Sequence, residues 1–557
     1  MRREVSVVNK KVCSFPILFA LLTLLIGTCA VVFPASAQAA PTSTGSITVS
    51  GTVASSYDAY QIFSANVVDG DSDAKIATDL AWASDAVLPV LHSAGMPNSQ
   101  TTAQEAAEWL NTESHLTSAL SAQLARSLQS SDAKSVALNA GTTAELPCGY
   151  WLIVADDDAI AQDEAGTAPI MVLVGGSAVT VKPKAATPKV AKHVLEDSTT
   201  AWQKAADATV ADDLYWRLSA TVPAGLTAYD TYTVQFVDTM SAGLDPSKVA
   251  ASMRVYVAAG ADGGFDVVSA DKDGRAGTEP AKGWTDITAQ CKVSVEGNAF
   301  TVRTGDLIAA LGGADAFIAG ARVVAVYNAP LNSACNHGIA KGNPNEVYLR
   351  YPRSPFADQS GDAGFTRTPS DDACAYTWDL ALTKRGSDGD KPLAGAVLSI
   401  ADDRGRTLAA DGTWDAEGKA TVTTGEDGRV TVSGVDSGKL EVRELKAPKG
   451  YTAFKGTRSV TVKAEGLDVD QVAAAKPKLT ITAESPLRAD SADGSTGSLE
   501  ASLINTPTGT PPSITTGGFM PSTGDMAMYA AAAAAVAGAA LIVVALLVKR
   551  GGGSHTE

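Results

Sequence analysis

Positive charge is scarce in this sequence: 44 Lys and Arg stand against 61 Asp and Glu in 557 residues, for a net charge of −17. Nucleic acid requires clustered Lys and Arg to neutralise phosphate, so that class of partner is excluded. Histidine is rarer still. The five (His92, His115, His193, His337, His555) are scattered, and none stands at metal-ligand spacing with a Cys or another His. There is no Gly-x-Ser-x-Gly elbow and no phosphate-binding Gly loop followed by Lys-Ser/Thr. A turnover enzyme is therefore not expected, nor a metal, nor any cofactor. Long apolar runs are confined to the two ends, which leaves about 480 residues between them, enough for three domains of ordinary size.

The first of those runs follows Arg2, Arg3, Lys10 and Lys11 and extends from Ile17 to Phe33. Ala35-Ser36-Ala37-Gln38-Ala39 then offers overlapping small-x-small sites. This order reads as a secretory signal peptide over residues 1–39, with the mature chain starting near Ala40. Cys29 lies inside it after Ile26-Gly27-Thr28, a poor lipid-attachment context, and is expected to be discarded.

The second run, Met526 to Val548, is long enough to span a bilayer as a helix. Lys549 and Arg550 would hold its end on the cytoplasmic side. Met520-Pro521-Ser522-Thr523-Gly524 stands just before it. An ordinary tail anchor would need no such pentapeptide, and residues 520–557 resemble a sortase sorting signal of the Leu-Pro-x-Thr-Gly type with Met520 in the Leu position. The resemblance implies cleavage between Thr523 and Gly524 and transfer of the Thr523 carbonyl to an amine. Residues 508–519 read as a linker.

The first domain, 40–184, mixes strands and helices. Gly45 to Val53 and Tyr60 to Val68 read as strands, as do Glu145 to Ile153 and Ala168 to Val174. Thr102 to Asn111 and His115 to Leu128 carry apolar residues at helical spacing. The domain ends in Ser177-Ala-Val-Thr-Val-Lys-Pro-Lys184. Strand alternation turns Val179 and Val181 inward and Lys182 outward, and Pro183 stops the ladder, leaving Lys184 in an exposed connector.

The second domain, 185–370, reads as strand and turn throughout, and its lysine differs in character. Val190, Lys192 and Val194 fall on one strand face, so Lys192 points into a core. An unpartnered ammonium there costs several kcal/mol. Tyr232, Val234, Phe236 and Asp238 share a face, and so do Asn345, Val347, Leu349 and Tyr351. Asp230 lies close in sequence and competes with Asp238. The third domain, 375–507, repeats the order: Lys384 follows Leu380 and Leu382, Glu444 follows Leu440 and Val442, and Asn505 follows Leu499, Ala501 and Leu503.

Burial dictates the chemistry of such a set. Desolvation lowers the pKa of a Lys and raises that of a carboxyl. A neutral amine held against an Asn side-chain carbonyl can attack it, with the acid carrying protons, and release ammonia. The product is one neutral amide in place of two costly buried groups.

Several stretches resemble known families. Tyr60-Gln61-Ile62-Phe63, Gly149-Tyr150-Trp151-Leu152-Ile153 and the segment ending at Lys184 resemble the N-terminal domain and pilin motif of Gram-positive sortase-assembled pilins, although Lys182 stands where that motif has Tyr. Val323 to Tyr351 is similar to the isopeptide-forming domain of fimbrial shaft proteins, and Glu441 to Tyr451 to the E-box of collagen-adhesin B-type (CnaB-like) domains. The resemblance implies a mainly β fold of tandem Ig-like β-sandwiches behind an α+β N-terminal domain. It also implies isopeptide bonds Lys192–Asn345 with Asp238 and Lys384–Asn505 with Glu444, and Lys184 as the amine acceptor, with Lys182 and Lys189 as competitors. Implied partners are pilus-specific and housekeeping sortases, further pilin subunits including a tip pilin, and peptidoglycan of a Gram-positive wall; a host glycan or protein ligand is left open. The function implied is a major shaft pilin, and the alternative is a monomeric wall-anchored adhesin. Of the four Cys that survive processing, Cys335 and Cys374 flank the junction of domains two and three and are expected to form a disulfide in an exported protein; Cys148 and Cys291 are left open.

Overall fold

The computed structural model describes residues 43–509, apart from 52, 72–73, 113–114, 162, 167, 184–186, 227 and 272–274. The signal peptide, Lys184 and the sorting signal with its apolar run lie outside the described residues, within which no helix is long and apolar enough to cross a membrane. The strands fall into three successive groups, and the molecule is mainly β.

In the first group the long strand Ser56–Asp69 is the hub. It pairs antiparallel with Lys75–Trp82, Ser135–Asn139 and Gly149–Ala155, and the last of these pairs with Ile170–Val174. A smaller sheet sets Thr44–Val49 between Thr143–Pro147, antiparallel, and Val179–Val181, parallel. The sequence suggests one strand from Glu145 to Ile153; the chain instead changes sheets at Cys148-Gly149. Gly149 makes the change possible, because its φ is +146° and a Cβ there would sit 2.1 Å from the Phe63 carbonyl oxygen. Helices Ala103–Leu110 and Ser118–Gln129 form where apolar spacing places them. Thr102 caps the first: its hydroxyl accepts from Glu105 N at 3.2 Å while Glu105 accepts from Thr102 N at 2.9 Å. A third helix, Val87–Ser93, was not expected, since Pro89 interrupts its pattern; Pro is tolerated there because it occupies the first turn.

The second group is a sandwich. One sheet orders its strands as Ala201–Gln203, Lys189–Glu196, Tyr215–Val222, Ala321–Asn328, Arg254–Ala259 and Thr285–Asp286. The facing sheet runs Ala205–Asp207, Asp371–Tyr376, Asn343–Pro352, Gln235–Met240, Ala299–Arg303 and Lys292–Glu296. Strand and turn are not the whole of it: single-turn helices at Val249–Ser252, Leu307–Ala310 and Ala314–Phe317 interrupt the connections. The second of these is nucleated by Asp306, whose carboxylate accepts from Ile308 N at 3.0 Å.

The third group is a second sandwich. In one sheet the first strand, Trp378–Gly386, lies parallel to the last, Ser498–Pro507, with Lys384 opposite Leu503 and Gly386 opposite Asn505. Arg429–Val435 flanks the first strand and Leu487–Asp493 the last. The facing sheet carries Val397–Ala401, Gly438–Lys446 and Thr457–Glu465. Polar contacts join the two sandwiches: Trp378 Nε1 donates to Asp207 at 2.6 Å, and the Ser437 hydroxyl donates to the same oxygen at 2.6 Å.

The expected Cys335–Cys374 disulfide is not formed: both are free thiols, as are Cys148 and Cys291. Cys335 Sγ turns to His337 Nε2 at 3.6 Å, whereas Cys374 is covered by Tyr376 and Gly342. Burial pushes both thiols up to about 11, so the thiolate that disulfide exchange requires is scarce at neutral pH.

Candidate functional sites: two buried lysine–acid–asparagine clusters

Strand alternation carries six ionisable or amide side chains into two cores. Lys192, Asp238, Asn345 and Lys384 are fully buried, and Glu444 and Asn505 nearly so. In the second domain Lys192 belongs to one sheet, while Asp238 and Asn345 come from neighbouring strands of the other, where Asp238 opposes Val347 and Met240 opposes Asn345. Lys192 Nζ donates to Asp238 Oδ2, and the amine lies 5.6 Å from the centre of the Trp216 ring. Asp230 is excluded from this cluster: it is exposed and pairs with Arg126 at 2.9 Å.

In the third domain the geometry differs. Lys384 and Asn505 lie on adjacent parallel strands of one sheet, and Glu444 reaches them from the facing sheet. Glu444 Oε1 is 3.5 Å from Lys384 Nζ. Asn505 Nδ2 donates to both Glu444 oxygens, at 2.9 and 3.1 Å. The Phe454 amide donates to Glu444 Oε2 at 3.0 Å, and Lys384 Nζ donates to the Leu503 carbonyl at 3.2 Å. The carboxylate is thereby fixed between the amine and the amide.

Desolvation acts on the amine of both clusters. It pushes Lys192 and Lys384 each down to about 8, against the pull of the neighbouring carboxylate. Asp238 is raised from the usual carboxylate range by the same burial, opposed by Lys192. In the second domain the two shifts together favour proton transfer from amine to acid, which would give a nucleophilic amine beside an amide.

Three acceptor atoms advertise an incomplete arrangement. Asp238 Oδ1, Asn345 Oδ1 and Asn505 Oδ1 are buried with no hydrogen-bond partner among the described residues. A buried orphan acceptor costs about 1–3 kcal/mol. The Asn505 amide presents its NH2 to Glu444, where the departing nitrogen can receive a proton, and leaves Oδ1 without a partner.

One participant escaped sequence reasoning. The Tyr327 hydroxyl lies 2.9 Å from Lys192 Nζ, 2.8 Å from Asn345 Nδ2 and 3.1 Å from Asp238 Oδ2. Alternation places it inward, but an inward Tyr on an apolar strand reads as core. Of the connector lysines, Lys182 and Lys189 are exposed, and Lys184 lies outside the described residues.

Fold and clusters together define a mainly β protein with a lysine, an acid and an asparagine sealed in the core of each of two sandwiches. Residues 379–476 match the SpaA prealbumin-like fold domain. The trypsin-resistant surface T6 protein of Streptococcus pyogenes serotype M6 is 30% identical over 143 residues, 24% of this chain and 24% of that protein. The chain thus matches about a quarter of the length of this curated relative. Among solved structures, the T6 backbone pilin of serotype M6 Streptococcus pyogenes aligns over 84% of this chain and 98% of its own, at 17% identity and a TM-score of 0.46. The full-length major pilin SpaD of Corynebacterium diphtheriae aligns over 84% and 98%, at 16% identity and a TM-score of 0.40. The similarity in sequence is thus to a streptococcal surface protein over about a quarter of its length, and the SpaA prealbumin-like match falls within the third group of strands.

Proposed function

We propose that this chain is the shaft subunit of a covalently polymerised surface pilus, exported by residues 1–39 and held at a Gram-positive wall. A sortase joins Thr523 of one copy to Lys184 of the next, and bonds Lys192–Asn345 and Lys384–Asn505 form within each subunit. The observation that carries the reading is the duplicate burial of Lys, acid and Asn in contact, a costly arrangement without a chemical outcome.

In the third domain Glu444 takes a proton from Lys384, whose amine then attacks Asn505 Cγ. The Nζ–Cγ bond forms, the Cγ–Nδ2 bond breaks, and Glu444 passes a second lysine proton to the departing nitrogen, which leaves as ammonia. The acid ends protonated and the pocket neutral.

The bond's position gives it a mechanical use. Tension along a fibre enters the third domain at Trp378 and leaves beyond Pro507, on adjacent parallel strands, so it shears the hydrogen bonds between them. A covalent link from Lys384 to Asn505 carries that load directly and leaves residues 385–504 outside its path. In the second domain the corresponding link ties the two sheets of the sandwich together.

Gel electrophoresis of a wall extract tests the polymer. A ladder of high-mass species is expected; a single band would make the chain a wall-anchored adhesin with a sandwich stalk.

A further inference from the structure

The two clusters solve the same problem differently. Glu444 bonds Asn505 directly, whereas the partner of Asn345 is Tyr327 Oη, at 2.8 Å, with Asp238 behind it. We propose that Tyr327 is a catalytic residue of the second-domain bond, relaying a proton from the Lys192 amine to the departing Asn345 nitrogen. The proposal rests on the reading that Lys192 and Asn345 become joined.

Each step has its group in place. Asp238 takes the first proton from Lys192 and keeps it. The amine attacks Asn345 Cγ, forming the Nζ–Cγ bond and moving the carbonyl π pair onto Oδ1. Nδ2 is then no longer conjugated and becomes basic. Tyr327 Oη, 2.9 Å from Nζ and 2.8 Å from Nδ2, takes the second proton from Nζ and gives its own to Nδ2. The pair on Oδ1 returns, the Cγ–Nδ2 bond breaks, and ammonia leaves. One amide and one ammonia replace one amine and one primary amide, with no external reactant.

The phenol suits this part. Burial, reinforced by the Asp238 charge, raises its pKa well above the usual value, so it remains a neutral hydroxyl able to accept and donate at once. Packing alone would not select it. The ring meets Phe300 edge-on at 4.7 Å in a fully buried site, a contact a Phe would make equally well. What Tyr adds is an oxygen touching amine, amide and acid together.

Tyr327→Phe removes that oxygen and keeps the ring. The intact mass of newly synthesised full-length protein, followed with time, reads the outcome domain by domain once cross-linked peptides are assigned. Wild type is expected to lose two ammonia masses. Tyr327→Phe is expected to lose the Lys384–Asn505 ammonia on schedule and the Lys192–Asn345 ammonia at least about 100-fold more slowly, the usual size of an acid–base contribution. A hydroxyl that only supports packing would lower the melting temperature without delaying the mass change. Loss of both ammonias at the wild-type rate overturns the relay. Failure of wild type to lose the second-domain ammonia overturns the bond itself, a separate result. Should Tyr327→Phe not fold, 3-fluorotyrosine at position 327 keeps the shape and alters phenol acidity; an unchanged rate of second-domain ammonia loss would then refute the relay.

Discussion

Replacing Glu444 by Gln perturbs the third domain at its most sensitive point. Gln retains the length of the side chain and an oxygen for the Phe454 amide, 3.0 Å away, but it cannot take a proton from Lys384. The Lys384–Asn505 bond should not form. Two losses follow. The link restrains an unfolded segment of 121 positions, which on the chain-entropy model is worth about 5 kcal/mol. Lys384 is also left in the core without its acid, 3.5 Å from where the carboxylate stood, and breaking a buried pair costs about 3–5 kcal/mol while the amine remains charged. The amine escapes part of the second loss by shedding its proton, since burial already holds it near 8. Taking the first loss alone, the third domain should melt on the order of 15 °C lower. Intact mass, differential scanning calorimetry and single-molecule pulling read the same variant. Its mass should show one ammonia loss rather than two. Under tension it should release the 120 residues from 385 to 504 as about 430 Å of chain, an extension wild type withholds. A Glu444→Gln protein that still loses two ammonias would show that Glu444 is only a core hydrogen-bonding residue, and the reasoning would fail.

Three further outcomes can be checked. Lys184→Ala should abolish the ladder of wall-extracted polymer while leaving monomer; an undiminished ladder would move the acceptor to exposed Lys182 or Lys189. Peptide mapping of purified fibres should end at Thr523, and recovery of peptides from Ala530 to Val548 would contradict cleavage there. Asn505→Ala should leave Lys384 unlinked, and its stability should then depend on pH. The folded pKa near 8 lies below the ordinary value of 10.5, so between these values the unfolded chain binds more protons. Stability of this variant should therefore rise as pH goes from about 8 to about 10.5, relative to wild type with the amine consumed; a flat difference by urea titration would refute buried Lys384 as the cause.

The clusters were legible because a period-2 strand makes no exception for polar residues: once Leu380 and Leu382 define the inward face, Lys384 must follow them. Position along the sequence said nothing about which sheet each residue joins. The sheet-bridging geometry of Lys192 with Asn345, against the same-sheet geometry of Lys384 with Asn505, required the strand order. Tyr327 was hidden because its ring satisfies the apolar pattern and only its oxygen serves chemistry. The cysteine expectation failed because nearness in the chain to a domain junction does not orient a side chain: Cys335 faces His337 while Cys374 packs under Tyr376. The single-turn helices of the second domain were missed because four residues carry no periodic signal, although Asp306 before Leu307 is a legible cap.

The account stands on the two bonds, and the mass of the wild-type protein tests them most directly. Purified, folded protein, measured intact under reducing conditions, should weigh two ammonia masses less than its sequence, with proteolysis yielding branched peptides that join Lys192 to Asn345 and Lys384 to Asn505. A mass equal to the sequence, with all four residues recovered in linear peptides, would contradict it.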